Sequence, residues 1–241
     1  MAGLTYIFDV DGTLTPPRQQ MTGDMVITLL ELSKNNSYYL LTGSDRPKLL
    51  QQIPHSILSR SCGYFTCMGN EFYENNKLIY KNEFKCPVSL KNYLLNLKID
   101  SQCPNKKKDY LEERVGMVNF STLGRNATKE ERDRYEEWDS KYEERKSIVK
   151  ILQPKFPELE FKIGGQISID IFPLGKDKSY ALKYLEKSKS IKVEDMVYFG
   201  DKCTEQGNDY SAKIFLKRNG GKCYCVNSYQ DVKSLIGFYA K

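Results

Sequence analysis

The chain has 241 residues with 40% hydrophobic and 12% aromatic content, enough for one large domain or two modest ones around a real core. Lys and Arg exceed Asp and Glu by 37 to 31, a formal charge of +6 that suits an anionic small molecule, a nucleic acid or an anionic membrane without choosing among them. No run approaches the roughly 20 apolar residues of a membrane span, and Met1-Ala2-Gly3-Leu4 leads straight into a strand, so an unprocessed cytoplasmic protein is expected.

Residues 4–9 read as a short buried strand that ends on Asp9. The string from Phe8 to Thr13 sets Asp9 and Asp11 two residues apart at the carboxyl end of that strand, where open α/β sheets hold their ligands. One oxygen of Asp9 can bind Mg²⁺, offsetting the charge of an anionic phosphate, while the other attacks phosphorus. Asp11, just past the turn, can hand a proton to the leaving oxygen and later take one from the acceptor. Gly12 lets the chain leave the strand sharply. A lone D-x-D-G is common and fits a solvent-exposed turn equally well. The apolar strand before it and the partners downstream lift it above chance.

An amphipathic helix near 22–34 leads to a second strand within 37–44, which delivers the Ser44 hydroxyl to the same end of the sheet, where it can hydrogen-bond a phosphoryl group in transfer. The seven cysteines (Cys62, Cys67, Cys86, Cys103, Cys203, Cys223 and Cys225) are odd in number and contain no C-x-x-C pair, so neither a disulfide framework nor a zinc site is expected. Cys223 and Cys225 alternate along a strand and read as its buried face.

From about residue 84 the alternation of strand and helix stops, which predicts an inserted domain with hinges at 82–87 and 173–176. The basic run Lys106-Lys107-Lys108 lacks interleaved aromatics and reads as a solvated loop instead of a nucleic-acid surface. Within the insert a strand at 117–121 is followed by a long charged helix starting at Thr128, three residues before Glu131, the spacing of a capping box. Tyr135, Trp138, Tyr142, Val149 and Leu152 recur along it as a packing or dimer stripe. On the strand 166–172, Ile167, Ile169 and Ile171 face one way and Ser168 and Asp170 the other, a polar pair that suits sugar hydroxyls. Arg114, Arg125 and Arg132 can grip a phosphate bidentately, or can be surface partners of the many nearby glutamates.

The core pattern then resumes. Lys178 opens a helix at 177–188 and can neutralise Asp9 and a phosphate. The strand 196–201 ends on Asp201, which can complete a Mg²⁺ shell, with Asp209 as a further ligand or its support. Taken singly, Ser44 fits a turn, Lys178 a surface lysine and Asp201 a helix cap. The domain reading is a core of residues 1–82 and 175–241 interrupted by an insert of 83–174.

The order nucleophile, hydroxyl, lysine, acidic loop resembles the haloacid dehalogenase class over roughly the first 80 and last 65 residues. Four stretches, FDVDGTLTPPR, GMVNFSTLGRNATKEER, GGQISIDIFPLGKDK and GDKCTEQGND, resemble successive signatures of eukaryotic phosphomannomutases across nearly the whole chain. The resemblance implies a Rossmann-like α/β core with an inserted α+β cap and dimerisation through that cap. It implies Asp9 as nucleophile and Asp11 as acid/base, assisted by Ser44 and Lys178, with Mg²⁺ held by Asp9, Asp11, Asp201 and Asp209. Arg18, Arg114, Arg125, Arg132, Ser168 and Asp170 would then contact substrate. The implied reaction interconverts mannose 6-phosphate and mannose 1-phosphate with mannose 1,6-bisphosphate or glucose 1,6-bisphosphate as activator, supplying GDP-mannose synthesis. A sugar-phosphate phosphatase or phosphoglucomutase of the same class, and a catalytically idle binding protein, are the competing expectations.

The chain departs from the family pattern in several places. Leu216, Lys217 and Arg218 stand about where Asp-Pro-Arg is expected, so an additional cation is expected to bind weakly or not at all after Asp209. Cys203 and Gln206 replace Thr and Gly in the acidic loop, and Lys176 replaces a tryptophan.

Overall fold

The computed structural model describes residues 3–239. In chain order the elements are β1 (Thr5–Phe8), α1 (Gly23–Leu32), β2 (Ser37–Leu41), α2 (Arg46–Gln52), α3 (His55–Leu58), β3 (Gly63–Thr66), β4 (Glu71–Glu74), β5 (Lys77–Lys81) and α4 (Val88–Asp100). There follow β6 (Leu111–Arg114), β7 (Met117–Phe120), α5 (Lys129–Tyr142), α6 (Glu144–Lys155), β8 (Leu159–Gly164) and β9 (Ser168–Pro173). The chain closes with α7 (Lys178–Lys189), β10 (Met196–Gly200), α8 (Tyr210–Arg218), β11 (Lys222–Cys225) and α9 (Tyr229–Tyr239).

The first sheet has seven strands in the order β11-β10-β1-β2-β3-β4-β5, parallel from β11 to β3 and finished by an antiparallel β3-β4-β5 meander. Its parallel strands are apolar on both faces because both are covered. Tyr6, Phe8, Tyr38 and Leu40 pack with Met25 and Leu29 of α1 and Val232 and Ile236 of α9. The alternate residues Ile7, Tyr39 and Leu41 pack on the other side with Ala181, Leu182 and Leu185 of α7 and Ala212 and Leu216 of α8. β1 lies between β10 and β2, so the chain departs to opposite sides at its carboxyl end and opens a crevice there.

The second sheet has four antiparallel strands in the order β6-β7-β9-β8, all from residues 111–173. One face packs Val118, Phe120, Phe161, Ile169 and Ile171 against Leu90 and Leu94 of α4 and Ile148, Val149 and Leu152 of α6. The strand period of two therefore leaves Asn119, Ser168 and Asp170 on the opposite face, toward the crevice. Asn70 ties the two chain crossings between the sheets: its backbone carbonyl accepts from the Asn82 N–H at 2.8 Å and its side-chain amide donates to the Lys176 carbonyl at 3.3 Å.

Two local expectations need correction. The capping box at Thr128 and Glu131 is present, but the helix it starts does not run on to Leu152. Glu143 takes a left-handed conformation (φ 52°), and the Asp139 carboxylate accepts from the Arg145 N–H at 2.9 Å and its Nε at 2.7 Å, capping a new helix. The stripe is thereby divided: Tyr135 and Trp138 pack with Cys103, Leu123 and Ile167, whereas Val149 and Leu152 join the core beneath the second sheet. The strand bearing Cys223 and Cys225 forms, but as the edge of the seven-stranded sheet, so Cys223 is half-buried and Cys225 exposed.

Candidate active site

Asp9 continues the β1 ladder by one rung, its N–H donating to the Phe199 carbonyl at 2.9 Å, which fixes its side chain at the mouth of the crevice. Gly12 then turns the chain with φ 84°. A Cβ there would lie 2.5 Å from Asp201 Oδ2, so glycine is what lets the acidic loop after β10 come this close. Lys178 is wholly buried at the start of α7, whose first turn is capped by Asp177 accepting from the Ser179 N–H at 2.8 Å. From there its Nζ donates to Asp9 Oδ1 at 2.5 Å and Asp209 Oδ1 at 2.6 Å. The Tyr198 hydroxyl donates to the same Asp209 oxygen at 2.5 Å, and the Lys202 N–H to the other at 2.9 Å.

Burial pushes the Asp9 carboxyl well above the usual range; Lys178 opposes this while Asp209 and Asp201 add to it. Burial and Asp209 likewise push Asp201 up to about 6. Burial works against the Lys178 charge, but Asp209 and Asp9 outweigh it and hold the ammonium above its usual range. The cluster thus carries more negative charge than one lysine neutralises. Oxygens of Asp9, Asp201 and Asp209 lie within 4.8 Å of one another. An all-carboxylate set of this size suits a hard cation such as Mg²⁺, and Lys178 takes only one oxygen of Asp9. Both Asp209 oxygens are already bonded, so Asp209 braces the cluster while Asp9 and Asp201 are placed to coordinate.

The Asp11 carboxylate stands outside that trio. Its Oδ1 accepts from the Gln52 amide at 2.7 Å and the Arg18 N–H at 2.8 Å; its Oδ2 accepts from Lys48 Nζ at 3.1 Å and Ser44 Oγ at 3.3 Å. Burial works against its charge, yet Lys48, the Arg18 N–H and Gln52 prevail and hold the carboxyl below the usual range, in the form that accepts a proton. Lys48 and Gln52 went unnoticed in the sequence. The signal available was their spacing of four on the helix that follows Ser44, which puts them on one face.

Across the crevice stand Arg114, Arg125 and Arg132, with Ser168 and Asp170 beside them, and Arg18 lines the same cavity from the loop beside Asp11. Arg114 and Arg125 share Glu112, at 2.7 and 2.6 Å, and together they overcome its burial and pull it down to about 2. Arg114 also donates to the Gly43 carbonyl at 2.9 Å. Arg132 is buried on α5 and holds the carbonyls of Ala127 and Arg125 at 2.9 and 2.5 Å. Burial, then Arg18 and Arg125, lower it to about 10. Arg114 and Arg125 meet Glu112 and the charge of Asp170, yet the Nη1 atoms of Arg125 and Arg132 are buried without a hydrogen-bond partner. Such a set is short of an anion. Asp170, accepting from the Asn119 amide at 2.6 Å, is pushed up by burial against the pull of Arg114. All the residues singled out in the sequence line this one cavity except Lys178 and Asp209, which lie behind Asp9.

A mostly parallel sheet with acidic residues at its carboxyl ends, joined to a smaller antiparallel sheet across a crevice, is a haloacid dehalogenase-type core with an added α+β layer. Solved structures agree on this fold: a haloacid dehalogenase-like hydrolase from Bacteroides thetaiotaomicron superposes with a TM-score of 0.60 at 13% identity, covering 98% of this chain and 99% of that one. The sucrose-phosphatase from Synechocystis sp. PCC6803 superposes at 0.55 and 14%, covering 100% and 90%. Residues 25–237 match the profile of eukaryotic phosphomannomutase, and the chain belongs to that enzyme family. The phosphomannomutase of Dendrobium officinale is 40% identical over 218 residues, 87% of this chain and 84% of its own length. That of Solanum lycopersicum is 39% identical over 217 residues, 87% and 84%. Family membership implies Mg²⁺ dependence in general terms, which the carboxylate set fits. No helix among the described residues is long and apolar enough to cross a membrane.

Proposed function

We propose that the chain interconverts mannose 6-phosphate and mannose 1-phosphate through a phospho-aspartate on Asp9, with a hexose 1,6-bisphosphate as activator, supplying GDP-mannose synthesis in the cytoplasm. The observation that carries this reading is one cavity with a nucleophile at one end and an unsaturated arginine set at the other. Such a cavity suits a sugar with a phosphate at each end. An Asp9 oxygen attacks phosphorus of the bisphosphate, forming the acyl phosphate and releasing a hexose monophosphate whose oxygen takes from Asp11 the proton that Asp11 gained when the bisphosphate was formed. In the reverse step ionised Asp11 removes the proton of the acceptor hydroxyl, which attacks the phospho-aspartate and restores Asp9. Mg²⁺ bound at Asp9 and Asp201 supplies positive charge to the transferring phosphoryl group. Lys178 keeps Asp9 oriented, and Ser44 can donate to a phosphoryl oxygen.

Residues 83–174 act in this reading as a cap over the core of 1–82 and 175–241, excluding water so that the phospho-enzyme survives while the sugar turns. The exposed apolar residues Val88, Leu95, Ile99 and Ile151 on α4 and α6 support pairing of two copies through the cap. A coupled assay on mannose 1-phosphate and glucose 1-phosphate, each with a bisphosphate activator, tests the function. Inorganic phosphate as the only product would replace the mutase with a phosphatase.

Two further outcomes follow from the site. Arg132→Ala should raise the apparent KM for hexose phosphate by roughly 10- to 100-fold, the worth of one charge-assisted phosphate contact. Unchanged kinetics would reduce Arg132 to its two carbonyl contacts.

The second concerns pH. An acid easier to protonate folded than unfolded contributes stability below its unfolded value of 3.8, and for Asp201 that contribution is lost as pH rises through about 6. The melting temperature in chelator should therefore fall from about pH 5 to about pH 7, with Mg²⁺ restoring it chiefly at the upper end. Asp201→Asn should flatten both responses; a parent curve already flat would remove Asp201 from the metal site.

A further inference from the structure

Three of the seven cysteines, one from the acidic loop and two from β11, meet at one point. β11 runs parallel to β10 with Cys223 beside Tyr198 and Cys225 beside Gly200. Being two residues apart on one strand, Cys223 and Cys225 point to the same face, the one that packs against α7 and α8. Three residues beyond Gly200 the acidic loop folds back over this ladder, and the Cys203 thiol donates to the Gly200 carbonyl at 3.4 Å. The three sulfurs consequently lie within 4.8 Å of one another. Among the described residues no other cysteines gather in this way; Cys67, Cys86 and Cys103 are buried separately, and Cys62 is half-buried elsewhere.

Packing alone accounts poorly for the arrangement. A cysteine in a core is a small apolar side chain, but Cys225 is exposed and Cys223 only half-buried at a sheet edge, so burial gives little reason for thiols there. Lys213 on α8 donates to the Cys203 carbonyl at 3.3 Å and opposes, without outweighing, the burial and the neighbouring Cys203 sulfur that push the Cys225 thiol up to about 11, so an ion must displace that proton as it binds. The distances fit. A tetrahedral ion with Zn–S bonds of about 2.3 Å needs sulfurs roughly 3.8 Å apart. From a triangle no wider than 4.8 Å, each sulfur need move inward by only about 0.6 Å, within reach of a side-chain torsion.

We propose that Cys203, Cys223 and Cys225 form a binding site for a thiophilic d¹⁰ cation of the Zn²⁺ class, held by three thiolates with a fourth position open to solvent beside exposed Cys225. Binding displaces three thiol protons to solvent and forms three metal–sulfur bonds, with no change of oxidation state. Thiolate ligands select this ion over Mg²⁺, so the site is chemically distinct from the carboxylate set. The two are nevertheless joined through the chain, because Cys203 belongs to the same loop as Asp201 and Asp209. An ion on the sulfurs fastens β11 to that loop.

The full-length protein, reduced and freed of metal, is titrated with Co²⁺ and then Zn²⁺ in the presence of excess Mg²⁺. Expected is a thiolate-to-cobalt charge-transfer band that saturates at one ion per chain, carries the visible bands of a tetrahedral centre and is bleached by Zn²⁺. Asp9→Asn should leave it in place, since carboxylates give no such band. Cys225→Ser, at an exposed position where folding is undisturbed, should weaken binding by at least the roughly 10- to 100-fold that losing a mere supporting contact costs a metal site. Cys223→Ser should do the same, and Cys62→Ser should have no effect. Absence of the band, a band that survives Cys225→Ser at full affinity, or consumption of the thiols in a disulfide without bound metal would each overturn the proposal.

Discussion

Asp9→Asn is expected to lower hexose-phosphate interconversion by roughly 10⁴-fold or more while leaving the melting temperature at or slightly above that of the parent. An amide oxygen neither forms an acyl phosphate nor holds a cation well, so both halves of the proposed cycle stop. The stability half of the expectation comes from burial. Asp9 is 4% exposed, and its carboxyl is pushed well above the usual range chiefly by desolvation, so its charge is a cost to the folded chain. Removing it leaves Lys178 still paired with Asp209 at 2.6 Å, and no buried ammonium is stranded. Turnover near the parent rate would sink the assignment of Asp9. A collapse in melting temperature would mean that the Asp9–Lys178 contact supports the fold, contrary to the electrostatics.

How far the site was legible in the sequence depended on how local each signal is. Asp9, Asp11 and Gly12 declare themselves within one strand and its turn, and Thr128 with Glu131 within one helical turn. Ser168 and Asp170 follow from the strand period, which puts Ile169 and Ile171 in the core and the polar pair in the cavity; Ile167, expected on the core face, stands before the strand begins, packs with Tyr135 and lines the cavity instead. The break at Glu143 was not legible, because the residues around it are ordinary helix formers. What stops the helix is the Asp139–Arg145 contact, together with the bond Thr122 makes to Glu144 at 2.6 Å from another part of the chain. The cysteine cluster failed to show for the same reason: two elements separated by α8 supply it, and no spacing rule spans them. The burial of Lys178 was hidden too, since nothing in its helix says that two carboxylates, 169 and 31 residues away, wait at its tip.

That burial makes Lys178→Met the most disruptive single change expected at the site. Methionine matches the length of the stem but strands Asp9 and Asp209, both buried, beside Asp201 without a counter-charge. Breaking such a pair by deleting one partner typically costs about 3–5 kcal/mol. The loss should depend on pH in a definite direction. Lys178 has its folded value raised, so its contribution is present throughout the range below 10.5 and is not lost near neutrality in the parent. Asp9 has a folded value above its unfolded 3.8; its contribution is present in acid and disappears as pH rises, and without the lysine that disappearance must steepen. Urea unfolding should therefore find the variant closest to the parent near about pH 5 and farthest from it near about pH 8. Adding Asp209→Asn to Lys178→Met should return much of the stability, because one of the stranded charges is gone, yet return no turnover, because Asp9 still lacks the ammonium that orients it. A gap that stays constant with pH would show that lost packing, and not stranded charge, destabilises the variant; recovery of turnover in the double variant would remove Lys178 from the mechanism.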